Sequence, residues 1–139
     1  MFYYNVAFRK SDNGMNKKND RLKILLVDDD RDMCESLADV LRTDSSYEVK
    51  YSISPIKALE MAKSEDFALV VIDYKMPEMD GVELLKHLKK SKPNRPVFIL
   101  TAFISDWLIE ETKQAGAERI ISKFTWPEKI LSYVKETLG

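Results

Sequence analysis

The chain has 139 residues, one domain's worth, and 45% apolar with 32% charged residues is enough to build a core. The net charge is −1, and residues 1–20 carry a small positive excess, so the remainder is more acidic still and a poor match for direct nucleic-acid binding. One cysteine, Cys34, excludes a disulfide framework and a Cys-based zinc cluster, while the lack of an apolar run near ~20 residues and of a basic leader excludes a membrane span and a secretory signal.

Taken in order, residues 1–20 read as a disordered tail or leader, polar from Lys10 onward, with Met15 an alternative start. Residues 23–27 form a short apolar run cut off by Asp28, Asp29 and Asp30. Met33, Cys34, Leu37, Val40 and Leu41 then make a helical stripe, with Asp30 as its cap and Cys34 as core packing. Tyr47–Ile53 is strand-like. Ser54-Pro55 opens a helix striped by Ile56, Leu59 and Ala62. Residues 67–72 are a continuous apolar run ended by Asp73. Asp80 and Glu83 have capping-box form ahead of Val82, Leu85 and Leu88; His87, among Lys86, Lys89 and Lys90, sits on a solvated face. Residues 96–100 form a fourth run, ended by Thr101 and Ala102. Leu108, Thr112 and Ala115 make a stripe stopped by Gly116. Ile120 and Ile121 are a short fifth strand, ended by Ser122 and Lys123. Thr125 and Glu128 have capping-box form before Ile130, Leu131, Val134 and Leu138.

Five strand–helix repeats with unalternating apolar runs predict a parallel sheet buried on both faces, an open α/β sandwich over residues 21–139. The functional crevice of such a sheet lies beyond the carboxyl ends of its strands. There the chain places Asp28, Asp29, Asp73, Thr101 and Lys123. The four scattered glycines rule out a P-loop or a dinucleotide fingerprint. Clustered carboxylates without His or Cys suit a hard cation such as Mg²⁺, and a cation, an ammonium and a hydroxyl around one carboxylate suit phosphoryl transfer.

The ordered set Val27-Asp28-Asp29-Asp30, Asp73-Tyr74-Lys75-Met76-Pro77 with Gly81, Thr101-Ala102 and Lys123 resembles the receiver domain of two-component response regulators, the CheY-like family. The resemblance covers about Arg21 to Gly139. It implies a (βα)5 doubly wound parallel five-stranded sheet of flavodoxin or CheY type, folded as a single domain. It also implies that Asp73 takes a phosphoryl group from a sensor histidine kinase or histidine phosphotransfer protein, so the chain catalyses only its own phosphorylation and dephosphorylation. Asp28, Asp29, Asp73 and the backbone carbonyl of Lys75 would hold Mg²⁺, and Thr101 and Lys123 would contact the phosphoryl oxygens. The switch would remodel the face of the fourth helix, fifth strand and fifth helix for a downstream protein or an output domain lying outside this chain. A cytoplasmic setting is expected, and a homodimer through the fourth and fifth helices is left open.

Three departures qualify the resemblance. Ile120 stands where the family has a switch aromatic. Phe124 follows Lys123 where proline is usual, so a trans bond is expected, leaving room for the Lys123 ammonium to sit displaced. Phe103 and Lys75, flanking the site, are expected to hide or pair the phosphoryl group and slow its hydrolysis. Trp107, Phe124, Trp126 and Tyr133 read either as half-buried surface aromatics or as a docking patch. The alternatives to a phospho-accepting receiver are a receiver-like interaction module working without phosphorylation, and an aspartate-nucleophile phosphatase, which would need an acid where Lys75 stands.

Overall fold

The computed structural model describes residues 20–139. The reading of residues 1–20 as a tail therefore lies, apart from Asp20, outside the described residues. Elements alternate strictly: β1 (Leu22–Val27), α1 (Arg31–Leu41), β2 (Tyr47–Ser52), α2 (Pro55–Ser64), β3 (Leu69–Asp73), α3 (Gly81–Ser91), β4 (Val97–Thr101), α4 (Asp106–Gln114), β5 (Arg119–Ser122) and α5 (Pro127–Leu138). All strand pairs are parallel, in the order β2-β1-β3-β4-β5. This is the (βα)5 doubly wound sheet that the apolar runs predict. No described helix is long and apolar enough to cross a membrane.

The absence of polar alternation in β1, β3 and β4 has a direct cause. Ile24, Leu26, Leu69, Val71, Phe98 and Leu100 enter one core with Leu37 and Leu41 of α1 and Ile130 and Val134 of α5. Their neighbours Leu25, Val27, Val70, Ile72, Val97 and Ile99 enter a second core with Ala58 of α2 and Leu84, Leu85 and Leu88 of α3. Both faces are covered, so the runs Ile24–Val27, Leu69–Ile72 and Val97–Leu100 are apolar without a break. Full burial of each Leu, Ile or Val contributes about 1.5–3 kcal/mol. Side chains alternate across a strand. One step of two beyond Leu26 lies Asp28, beyond Val71 lies Asp73, and beyond Ile121 lies Lys123, all on the α1/α5 side.

Local signals place the helix ends. Asp30 caps α1, accepting from the amides of Asp32 and Met33, and Ser54 caps α2 with Pro55 in the first turn. Asp80 caps α3 by accepting from Glu83 N. Gly116 follows the α4 C-cap at φ 98°, a conformation glycine takes freely. Two expectations are corrected. Thr125 does not cap the last helix: α5 starts at Pro127, whose ring drives the preceding Trp126 into extended geometry and makes it the N-cap, without a side-chain hydrogen bond. Ile56 is not on the buried stripe of α2; it is 49% exposed, because Pro55 and Ala58 face the sheet instead.

Candidate functional site

The carboxyl ends of β1, β3 and β5 bring Asp28, Asp73 and Lys123 together, with Asp29 beside them. Asp28 and Asp73 are buried, at 5% and 4% exposure, while Asp29 is exposed. Carboxylate oxygens of Asp28, Asp29 and Asp73 all lie within 4.8 Å of one another. The Lys123 ammonium is 3.1 Å from Asp28 Oδ2 and 3.3 Å from Asp73 Oδ2. Two buried anions thus share one cation, and one negative charge of the pair is left uncompensated. The cost falls on Asp73: burial first, then the charge of Asp28, push its carboxyl from 3.8 up to about 6, against the pull of Lys123. Burial works to lower the Lys123 pKa, but its hydrogen bond and charge pairing with Asp28, helped by Asp73, hold it above the ordinary lysine value.

Backbone geometry fixes the cluster. Lys123 N donates to Thr101 O at 2.9 Å, Asp28 N to Ser52 O at 3.2 Å and Tyr74 N to Leu100 O at 2.7 Å, extending the sheet past its formal ends. Asp28 Oδ1 accepts from Asp30 N at 2.9 Å, and the Cys34 thiol donates to Asp28 O at 3.3 Å. Burial and then the Asp28 charge push that thiol up to about 12, which leaves it protonated and unreactive, in keeping with a packing role. Gly81 holds the loop after β3 closed, donating to Tyr74 O at 2.7 Å. A Cβ at Gly81 would stand 2.7 Å from Asp73 O and 2.9 Å from Tyr74 Cα, so only glycine permits this approach. Gly81 was visible in sequence only as part of the motif; the steric reason for it was not.

Not every expected residue joins the cluster. Thr101 is buried at the end of β4, but its hydroxyl is engaged by its own loop, donating to Phe103 O at 3.2 Å and accepting from Phe103 N at 3.3 Å. Strand alternation explains this: Thr101 follows Val97 and Ile99, on the face opposite Asp73. Lys75 is exposed in the loop two residues after Asp73, and Ala102 is exposed beyond β4. Ile120 is half-buried and packs against the second core with Ala115 and Ala117. No cis peptide bond occurs among the described residues, so the Lys123–Phe124 bond is trans. The ammonium nevertheless reaches both carboxylates, so the room left for its displacement is not used. The Phe103 ring is 85% exposed.

The aromatics divide. Trp107, Phe124 and Trp126 stand exposed, whereas Tyr133 is half-buried with the Arg119 guanidinium 4.1 Å above its ring and the Lys129 ammonium at 5.4 Å. His87 is exposed, as its lysine neighbours predict.

Three oxygen-donor side chains converging without nitrogen or sulfur fit a small hard cation of octahedral habit, and the uncompensated charge on Asp73 and Asp28 is what such an ion would neutralise. Comparison with known proteins agrees with this arrangement. The family described as the response regulator receiver domain matches residues 24–135. Transcriptional regulatory protein ZraR of Klebsiella oxytoca is 38% identical over 121 residues, which are 86% of this chain and 27% of that protein. Sporulation initiation phosphotransferase F of Bacillus subtilis is 34% identical over 116 residues, 84% of this chain and 93% of that protein. The crystal structure of a CheY-like receiver domain protein from Methanospirillum hungatei JF-1 superposes with a TM-score of 0.79 at 31% identity, covering 84% of this chain and 92% of that one. The chain thus spans about a quarter of ZraR and nearly all of the phosphotransferase. With a match running from β1 into α5, the chain belongs to the response regulator receiver domain family of two-component signalling.

Proposed function

We propose that Asp73 accepts a phosphoryl group from the phosphohistidine of a sensor histidine kinase or histidine phosphotransfer protein. The observation that carries this reading is one buried carboxylate set between a second carboxylate and an ammonium at the open edge of a parallel sheet. An Asp73 oxygen attacks phosphorus, the P–O bond of an acyl phosphate forms, and the P–N bond to the donor imidazole breaks; the leaving imidazole takes a proton from water. With its pKa at about 6, Asp73 is largely ionised at neutral pH and is available as the nucleophile. Lys123 would follow the negative charge from the carboxylate to the transferred oxygens, a shift its position between Asp28 and Asp73 allows.

Asp28, Asp29 and Asp73, with the Lys75 carbonyl, would hold Mg²⁺. When bound, the ion neutralises charge on the phosphoryl oxygens. Thr101 would turn its hydroxyl from the Phe103 backbone to a phosphoryl oxygen. That exchange frees the Phe103 amide and carbonyl and reshapes the segment carrying Phe103, Ile104 and Trp107 at the start of α4. The output is a population shift on the α4/β5/α5 face, read by a downstream protein, with half-buried Ile120 filling space where a swinging ring is absent. The similarity to sporulation initiation phosphotransferase F, a chain of nearly the same span, supports phosphoryl transfer as the activity.

Intact-mass measurement after incubation with acetyl phosphate and Mg²⁺ tests the reading. A gain of one phosphoryl mass, absent in Asp73→Asn, is expected. An unmodified parent, or an equally modified variant, would overturn it.

A further inference from the structure

At the amino ends of β3 and β4, opposite the acidic cluster, residues 66–68 and 91–96 line a cleft of about 470 Å³. Arg95 lines it and is 5% exposed. Its Nε, Nη1 and Nη2 are all buried and none has a hydrogen-bond acceptor among the described residues. A guanidinium carries five N–H donors and stays charged, so an unpartnered one out of water costs several kcal/mol. Burial pulls the Arg95 pKa below its ordinary value, with only the charge of Asp66 opposing. The neighbouring cations are already committed. Lys89 Nζ donates to Pro93 O at 3.1 Å and Arg95 O at 2.7 Å, and Lys92 pairs with Asp66. From Lys86 to Arg95 the chain carries five Lys and Arg residues and no acid. The cleft therefore has an excess of positive charge and a buried fork of donors with nothing to receive them.

We propose that this cleft is a binding site for a small oxyanion, a phosphate or a carboxylate, received by the Arg95 guanidinium with Lys92 as the second cation. Paired N–H groups of guanidinium match the two oxygens of either ligand. Ser91 and Asn94 also line the cleft; the Ser91 hydroxyl is held by Leu88 O at 3.2 Å, which leaves the Asn94 amide as the neutral donor. Asp66 is the one carboxylate on the cleft among the described residues, and it competes with the ligand for Lys92 and Arg95. The guanidinium is shielded, and its opening is assigned to Lys92 and Asp66, the paired side chains on the cleft lining. Both of those side chains reach solvent, at 47% and 83% exposure, so parting them disturbs no core contact.

The test is a ¹⁵N–¹H correlation titration of the full chain with inorganic phosphate, in chelator, with a parallel arm using succinate at matched ionic strength. Saturable shifts are expected at the amides of residues 66–68, 91, 92, 94 and 95, reduced at least tenfold in apparent affinity by Arg95→Gln and strengthened several-fold by Asp66→Asn. The arm that saturates at lower concentration identifies the ligand as phosphate or carboxylate. Shifts that do not saturate, that fall only at the acidic cluster, or that survive Arg95→Gln overturn the proposal. If Arg95→Gln does not fold, Asp66→Asn decides. Unchanged or weaker binding in that variant would show Asp66 to be the partner of Arg95 and contradict the anion site. The outcome is independent of whether Asp73 is phosphorylated.

Discussion

Replacing Asp73 with Asn should stabilise the folded protein in the absence of divalent cations. The buried Asp73 carboxyl is raised from 3.8 to about 6, chiefly by burial and by the Asp28 charge. Ionising such a group at neutral pH costs about 3 kcal/mol more in the folded state than in the unfolded chain. An amide of the same shape removes that cost but presents one oxygen, not two, to Lys123, so a net gain of about 2 kcal/mol is expected. For a domain of this size that is about 5–10 °C in Tm. The direction with pH is fixed by linkage. The folded carboxyl holds its proton more tightly than the unfolded one, so the stability it confers is fully present below pH 3.8. That stability is lost as pH rises through about 6. The advantage of Asp73→Asn should therefore be small near pH 4 and complete above about pH 7. Thermal and urea unfolding in chelator across pH 4–8 measures it. A variant no more stable than the parent at pH 7.5, or a difference flat with pH, would refute the electrostatic reasoning.

Other consequences follow from the same geometry. Gly81→Ala forces a Cβ to within 2.7 Å of the Asp73 carbonyl, so the loop must move; urea unfolding should show a loss of about 1–3 kcal/mol, and an unchanged midpoint would contradict the close packing. Lys123→Met leaves Asp28 and Asp73 facing each other without a cation. It should destabilise the chelator-treated protein by about 1–3 kcal/mol at pH 7.5 and much less at pH 4; equal losses at both values would argue against a shared ion pair. Glu78 lies at φ 72°, so Glu78→Gly should raise the urea midpoint by the equivalent of about 0.5–1 kcal/mol, and a lowered midpoint would show that side-chain contacts hold the turn.

Much of this architecture is legible in the chain itself, for physical reasons. Runs such as Leu69–Ile72 lack polar alternation because helices cover both faces of the sheet, and each run stops where the strand leaves the core, which is where Asp28, Asp73 and Thr101 stand. Ser54-Pro55 and Gly116 mark helix ends through backbone geometry that is local. What was not legible depends on tertiary placement. The box formed by Thr125 and Glu128 competes with Pro127, and the restriction that proline puts on Trp126 wins. Ile56 fits the helical stripe, yet the approach of α2 to the sheet selects Pro55 and Ala58. The strand-end position of Thr101 is legible, whereas the engagement of its hydroxyl by the Phe103 backbone depends on how the following loop folds. A loop reading Lys-Pro-Asn-Arg-Pro gives no sign that its arginine is buried without a partner.

The proposed function requires the phosphoryl group to attach at the Asp73 carboxylate. Acetyl phosphate treatment with Mg²⁺, reduction of the acyl phosphate by borodeuteride and peptide sequencing by mass spectrometry test this directly. Deuterium-labelled homoserine at position 73 is the predicted product. Label at Asp28 or Asp29, or no reducible acyl phosphate in a protein that remains folded, would contradict the central claim.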